Sequence, residues 1–142
     1  MLLIAGYLWR FHVRLQPAEQ ERIQRAYFDD IQAHMTQVDL RQSKAYVQTQ
    51  TLWLLPQIDA ARKRAVIKFL YDNGFLRGND AIQLVGANLR QVDLQQLELP
   101  NLNLQGADLH SANLQNTNLY NANFQKANLR KANCSASTLG RK

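Results

Sequence analysis

Few residues in this chain of 142 have the types and spacing that covalent chemistry needs. His12, His34 and His110 lie far apart, with no cysteine or carboxylate at ligand spacing, so no metal site is expected. The single cysteine, Cys134, cannot close an internal disulfide and reads as a small core filler in a reducing compartment. Asp29 and Asp30 are the one adjacent carboxylate pair, but without a second constellation they read as a solvated helix face. No Gly-rich phosphate loop, nucleophile elbow or serine-histidine-aspartate set is visible, so neither an enzyme nor a cofactor is expected. What remains is a set of cationic and polar residues, Arg90, His110, Arg130 and Lys131, whose first three members are spaced by twenty. That spacing brings them together only if the chain returns to the same place every twenty residues.

The stretch from Ala87 to Arg141 supplies such a return. It repeats every five residues, with units such as Ala87-Asn88-Leu89, Ala107-Asp108-Leu109, Ala112-Asn113-Leu114, Ala127-Asn128-Leu129 and Ala132-Asn133-Cys134, and Leu, Phe or Cys stands at each centre. A period of five fits neither a helix at about 3.6 residues per turn nor a strand at about 2. If each unit forms one side of a coil and the chain then turns a corner, four units close a square and the chain climbs one strand spacing, about 4.8 Å. Such a solenoid buries its core by stacking coil on coil. Leu84, Leu89, Leu94, Leu99, Leu104, Leu109, Leu114, Leu119, Phe124, Leu129 and Cys134 are then expected inside. The small residue two places earlier lets the backbone approach at the corner. Asn or Asp between them is expected to take the unusual turn dihedrals and to bond its own backbone.

This pattern resembles the pentapeptide repeat family, whose motif is Ala-(Asp/Asn)-Leu-x-x. The resemblance covers eleven consecutive units, with Ile82-Gln83-Leu84-Val85-Gly86 as a looser twelfth. It implies a right-handed quadrilateral β-helix. The fold class is therefore expected to be α+β, with a helical N-terminal region over 1–80 capping a β-helix over 81–142.

The helical expectation rests on residues as well. Pro17 followed by Glu19 and Glu21 starts a helix, and Ile23, Tyr27, Ile31, Met35 and Val38 fall on one stripe, so it should run to about Arg41. A second helix is expected over Ser43–Leu55, ended by Pro56. Asp59 should cap a third over Ala60–Asp72, leaving Arg62, Lys63, Arg64 and Lys68 on the outside. Thr51-Leu52, Leu54-Leu55, Ile58-Asp59, Arg62-Lys63 and Phe69-Leu70-Tyr71 look like the region that precedes the repeats in many cyanobacterial pentapeptide-repeat proteins. Val92, Leu97 and Leu102, bulkier than the alanines at later equivalent positions, should help these helices cover the first coil.

Met1 to Trp9 is apolar but short of the roughly 20 residues that cross a bilayer, and it lacks a leader's basic start and cleavage site. A cytoplasmic protein is expected, with residues 1–15 as the segment that would bring it to a membrane.

Net charge is +6 and the isoelectric point about 9.8, which favours anionic partners. The leading reading is a non-catalytic interaction or scaffold module for a protein partner. An alternative is a nucleic-acid-associated or topoisomerase-modulating protein, prompted by family members that mimic DNA. Mimicry needs a negative rod, whereas this repeat carries Arg90, Lys126, Arg130, Lys131, Arg141 and Lys142 against Asp93, Glu98 and Asp108. Direct nucleic-acid binding has the right sign but lacks aromatic stacking platforms. Stacking puts Arg90, His110 and Arg130 in one outward column and Gln91, Ser111 and Lys131 in the next. An anionic partner is expected on that face, and Arg90→Glu with Arg130→Glu should weaken its binding and flatten the salt dependence while leaving stability within about 0.5 kcal/mol. The far end, around Tyr120, Cys134 and Leu139, is expected to meet a second copy in a two-fold homodimer.

Overall fold

A computed structural model describes residues 14–78 and 81–139. The apolar run Met1 to Trp9, and all but the end of the expected membrane-contacting segment 1–15, lie outside the described residues. Among the described residues no helix is long and apolar enough to cross a membrane.

Helix α1 spans Pro17–Gln37, with Pro17 in the first turn and Glu19 near the helix N-terminus. It stops short of the expected Arg41. Val38 turns extended at φ −133°, and a new helix α2 begins at Leu40 and runs to Leu54. The apolar stripe reaches Val38 without marking this break. A single 3-10 turn, Leu55–Gln57, carries Pro56, and α3 spans Ala60–Asp72 as expected. The Asp59 side chain accepts the Arg62 N–H at 3.0 Å, the predicted cap.

The inner stripe of α1 is confirmed at Tyr27 and Ile31, both buried. Polar contacts then fix the helix angles. Tyr27 and Thr51 share a hydroxyl hydrogen bond of 2.7 Å in the interior, and burial pushes the Tyr27 pKa up to about 12. Tyr46 of α2 donates to Asp30 Oδ2 at 2.5 Å and stacks on His34 with ring centroids 4.4 Å apart. Asp30 thus has a structural partner. Buried Gln20 joins α1 to the start of α3, accepting the Asp59 N–H at 2.7 Å and donating to the Leu15 carbonyl at 2.7 Å.

Beyond α3 the chain enters a coil whose register is fixed by its ladder. Parallel bridges join Asn88 to Asp108, Asp93 to Asn113, Glu98 to Asn118 and Asn103 to Asn123, and continue through Asp108 to Asn128 and Asn113 to Asn133. Each pair is twenty residues apart, so four five-residue units make one coil. The longest regular strands, β1 (Asn118–Leu119) and β2 (Thr138–Leu139), are two residues each and obey the same register. Ile82–Gly86 belongs to the coil too, since Leu84 N–H donates to the Asn103 carbonyl at 3.0 Å and Gly86 N–H to that of Gln105 at 2.8 Å.

At the corners within a coil, the centre residue closes a turn with the residue three further on, as in Val92 N–H to Leu89 O at 3.2 Å and Ala112 N–H to Leu109 O at 3.0 Å. The dihedral strain of each corner falls on the fifth position. Gln91, Gln96, Asn101, Ser111, Asn116, Asn121, Lys126, Lys131 and Ala136 all have φ between 54° and 63°, beside Gly86 and Gly106. This corrects the expectation for Asn and Asp of the second position, none of which has positive φ. Their expected local bond is present instead: Asp93 Oδ1 accepts Gln95 N–H at 3.0 Å and Asn103 Oδ1 accepts Gln105 N–H at 3.1 Å.

Helices and coil share one apolar core running from Tyr27 and Ile67 through Phe75 and Ile82 to Leu119. Val92 and Leu102 are fully buried in the first coil, as expected, and Leu97 packs at its margin. The centres from Leu84 to Leu119 are fully buried. Phe124, Leu129 and Cys134 are only partly buried, contrary to expectation, because among the described residues no coil stacks on theirs.

Candidate interaction surface

A solenoid presents two kinds of surface: its sides, built from the outward columns, and its ends, built from unpaired backbone. The first depends on the side-chain ladder of the second positions. Asn113 Nδ2 donates to Asp93 Oδ1 at 3.2 Å, Asn118 Nδ2 to Glu98 Oε2 at 2.7 Å, and Asn123 Nδ2 to Asn103 Oδ1 at 3.3 Å, while Asn103 Nδ2 donates in turn to Gln83 Oε1 at 2.6 Å. Each of these amides points toward the start of the chain. The lowest rung therefore needs only to accept, which is why carboxylates at Asp93 and Glu98 suit it.

Asp108 is the exception, since it sits one coil up and cannot donate to Asn88 beneath it. Lys63 of α3 fills the gap, its Nζ 2.9 Å from Asn88 Oδ1 and 3.4 Å from the Arg90 carbonyl. Arg64 does the same on the next side, donating to the carbonyls of Asp93 at 2.7 Å and Gln95 at 3.4 Å. Higher in the coil, equivalent carbonyls receive N–H groups from the coil below, as in Leu89 N–H to Asp108 O at 2.8 Å and Gln91 N–H to His110 O at 2.9 Å. The two cations thus stand in for a missing coil and close an open β-edge.

The expectation that Lys63 and Arg64 face outward is therefore wrong, and Arg62 is held by an ion pair with Asp59 and a 3.2 Å bond to the Pro17 carbonyl, whereas Lys68, paired with Asp72 at 2.6 Å, is a solvated cation. Lys63 is buried at 5% exposure. Desolvation pushes its pKa down to about 8, with Asp108 opposing the shift and Arg90 and Arg14 adding to it.

On the outward columns, Arg90 and His110 are brought together and Arg130 and Lys131 continue the face. Arg90 Nη1 lies 3.1 Å from Asp108 Oδ2 and Nη2 lies 3.5 Å from His110 Nδ1, while Ser111 Oγ is 3.0 Å from the same ring nitrogen. Arginine can only donate, so Nδ1 accepts and the ring proton of a neutral His110 belongs on Nε2. Burial acts to raise the Asp108 pKa, but hydrogen bonds from His110 N–H, Arg90 and Asn128 outweigh it and hold the carboxyl below its usual range. Serine, histidine and aspartate are thus neighbours here without forming a relay, because the Asp108 carboxylate bonds the His110 backbone and not its ring.

Arg90 is partly neutralised by Asp108, so the free positive charge of the face lies higher. Arg130 and Lys131 are exposed, and among the described residues their side chains have no ion pair or hydrogen bond. Lys126, on the adjoining side of the same coil, is likewise exposed. Sequence reasoning placed Arg90, His110, Arg130 and Lys131 on one side, and the pairing of Arg90 with Asp108 is what it did not foresee.

Residues 82–119 and 107–140 match the family model for pentapeptide repeats, in 8 copies. The matched residues do not include α1, α2 or α3. No curated protein matches the chain.

Proposed function

We propose that this chain, which carries pentapeptide repeats over residues 82–140, is a non-catalytic interaction module whose repeats form a right-handed, four-sided rod. The family is in general a protein-interaction module, which is the coarse basis of the reading. The observation that carries it further is the division of labour within each five-residue unit. The first and third positions fill the shaft, and the second position bonds its own backbone and the rung below. The fourth and fifth positions remain for an outside partner.

The side defined by Arg90, His110, Arg130 and Lys131 is the one we assign to an anionic protein surface, with Arg130 and Lys131 as the attracting charges. Arg90 is held in place by Asp108 and serves to orient His110. The test is affinity capture with the intact chain, compared with Arg130→Glu plus Lys131→Glu, at increasing salt. Partners bound through this side are lost from the variant and show a shallower salt dependence for any residual binding. Capture unchanged by the reversal at every salt concentration would move the site elsewhere.

A further inference from the structure

Arg90, Lys126, Arg130 and Lys131 gather on one side of the coil and its corners, and two units further round the surface changes character. There the outward positions of units 97–101 and 117–121 are Glu98, Pro100, Asn101, Asn118, Tyr120 and Asn121, with no cation among them. Tyr120 is exposed at 61%, the most exposed large apolar side chain among the described residues. That exposure comes from its outward fourth position and not from its height in the coil. Its backbone is held on both sides, since the N–H donates to Asn118 Oδ1 at 3.0 Å and the carbonyl accepts the Asn101 N–H at 2.8 Å. The register of twenty sets Pro100 on the rung beneath it. Next in the chain, Asn121 Nδ2 donates to Asn101 Oδ1 at 2.9 Å, and Asn101 Nδ2 and Asn121 Oδ1 have no hydrogen bond among the described residues. Glu98 takes the Asn118 amide on Oε2 at 2.7 Å, and its Oε1 has no donor among the described residues. Gln96 and Asn116, at the corner before this side, are exposed amides as well.

We propose that this side binds a neutral carbohydrate, with the Tyr120 ring under the apolar C–H face of a sugar and Asn101, Asn121 and Glu98 meeting its hydroxyls. A sugar ring combines an apolar face with a rim of groups that both donate and accept. The side matches that combination. An aromatic ring on a fixed backbone offers apolar area at low ordering cost, and each primary amide beside it supplies a donor and an acceptor.

The same residues disfavour other occupants. A phosphate- or sulfate-bearing ligand finds no cation here, while Glu98 repels it and the basic side attracts it. An apolar protein surface would cover one ring at the cost of leaving the amides and Glu98 unpaired, because Tyr120 is the one exposed aromatic of the coil among the described residues.

This inference goes beyond the function proposed above and uses a different side of the rod. The intact chain is titrated with cellotetraose and, separately, with maltotetraose to about 10 mM, a range that detects millimolar affinity, while amide resonances are followed residue by residue. At least one of the two should shift Asn101, Tyr120 and Asn121, with an affinity that salt does not change. Tyr120→Ala should weaken that binding by about tenfold or more and Tyr120→Phe by no more than about threefold, since the ring and not its hydroxyl carries the contact. An otherwise unchanged amide spectrum shows that each variant is folded, and Asn101→Ala gives a second reading, a loss of several-fold. Arg130→Glu with Lys131→Glu should leave the titration as it was, so failure here and failure of the basic side are told apart. The proposal is overturned if neither tetrasaccharide shifts these amides, or if Tyr120→Ala binds as tightly as the wild type or Tyr120→Phe as weakly as Tyr120→Ala. It is also overturned if a sulfated heparin tetrasaccharide shifts the same amides more strongly and loses its effect in salt, which would make the ligand anionic.

Discussion

Lys63 Nζ lies 2.9 Å from Asn88 Oδ1 and 3.4 Å from the Arg90 carbonyl, so a helix lysine occupies the place that a preceding coil would take. With Arg64 on the neighbouring side, it ties α3 to the first coil and makes the helices part of the rod. Removing either cation takes a charged donor away from partly buried acceptors. Lys63→Ala and Arg64→Ala should each lower stability by about 1–3 kcal/mol in urea unfolding, the range for a hydrogen bond from a charged group. Lys68→Ala, which breaks only an exposed pair, should stay within about 0.5 kcal/mol.

The same lysine gives the protein a pH signature. Its folded pKa is depressed to about 8 from 10.5, so the unfolded chain binds the proton more tightly. The cost of burying the charge is fully present below about pH 8 and fades as pH rises toward 10.5, so this group makes stability rise across that window. Comparing unfolding of the wild type with Lys63→Met over the window isolates the contribution, which the variant should lack.

Core position along the rod sets the cost of truncation. Leu109→Ala should cost about 2–5 kcal/mol, the range for a fully buried leucine that leaves a cavity. Leu129→Ala should cost clearly less, because Leu129 is only partly buried in the last coil. Equal losses in urea unfolding would mean that another coil covers the last one.

Ladder polarity predicts an asymmetry between acid and amide. Asn113→Asp removes the donor to Asp93 Oδ1 and sets two carboxylates together, so it should destabilise by about 1–3 kcal/mol at neutral pH. The penalty should shrink as pH falls and one carboxyl of the pair takes up a proton.

Every corner needs positive φ, yet glycine serves at few of them. At Gly106 an added Cβ would meet nothing within 4 Å, so conformation alone decides the cost. Gly106→Asn should therefore be nearly neutral, whereas Gly106→Val should cost about 1–3 kcal/mol, because β-branched residues resist the left-handed region. Thermal unfolding of the two variants distinguishes these outcomes.

The repeat was legible because its period is set by side chains that must be large and apolar, from Leu84 to Leu119. The register of twenty followed from the period. Lys63 and Arg64 were not legible as closing residues, since their partners are carbonyls, which every residue has and no sequence pattern marks. The fifth-position dihedrals were hidden for a related reason: Gln91, Ser111, Lys126 and Ala136 share a backbone state and no side-chain chemistry. The break at Val38 was obscured by Met35 and Val38, which continue the apolar stripe while the backbone turns. The face residues were legible as columns, but the pairing of Arg90 with Asp108 depends on rotamers that spacing does not specify.

Stacking of outward residues twenty apart underlies the face, the ladder and the closed first coil, and cross-linking tests it most directly. In a Cys134→Ala background, Gln95→Cys with Gln115→Cys places two thiols on adjacent rungs about 4.8 Å apart, within disulfide reach. Oxidation of the folded protein should join that pair quickly and quantitatively, while Gln95→Cys with Ser135→Cys, two rungs apart, should stay reduced. Efficient bridging of the second pair, or none of the first, would contradict the twenty-residue coil and every column built on it.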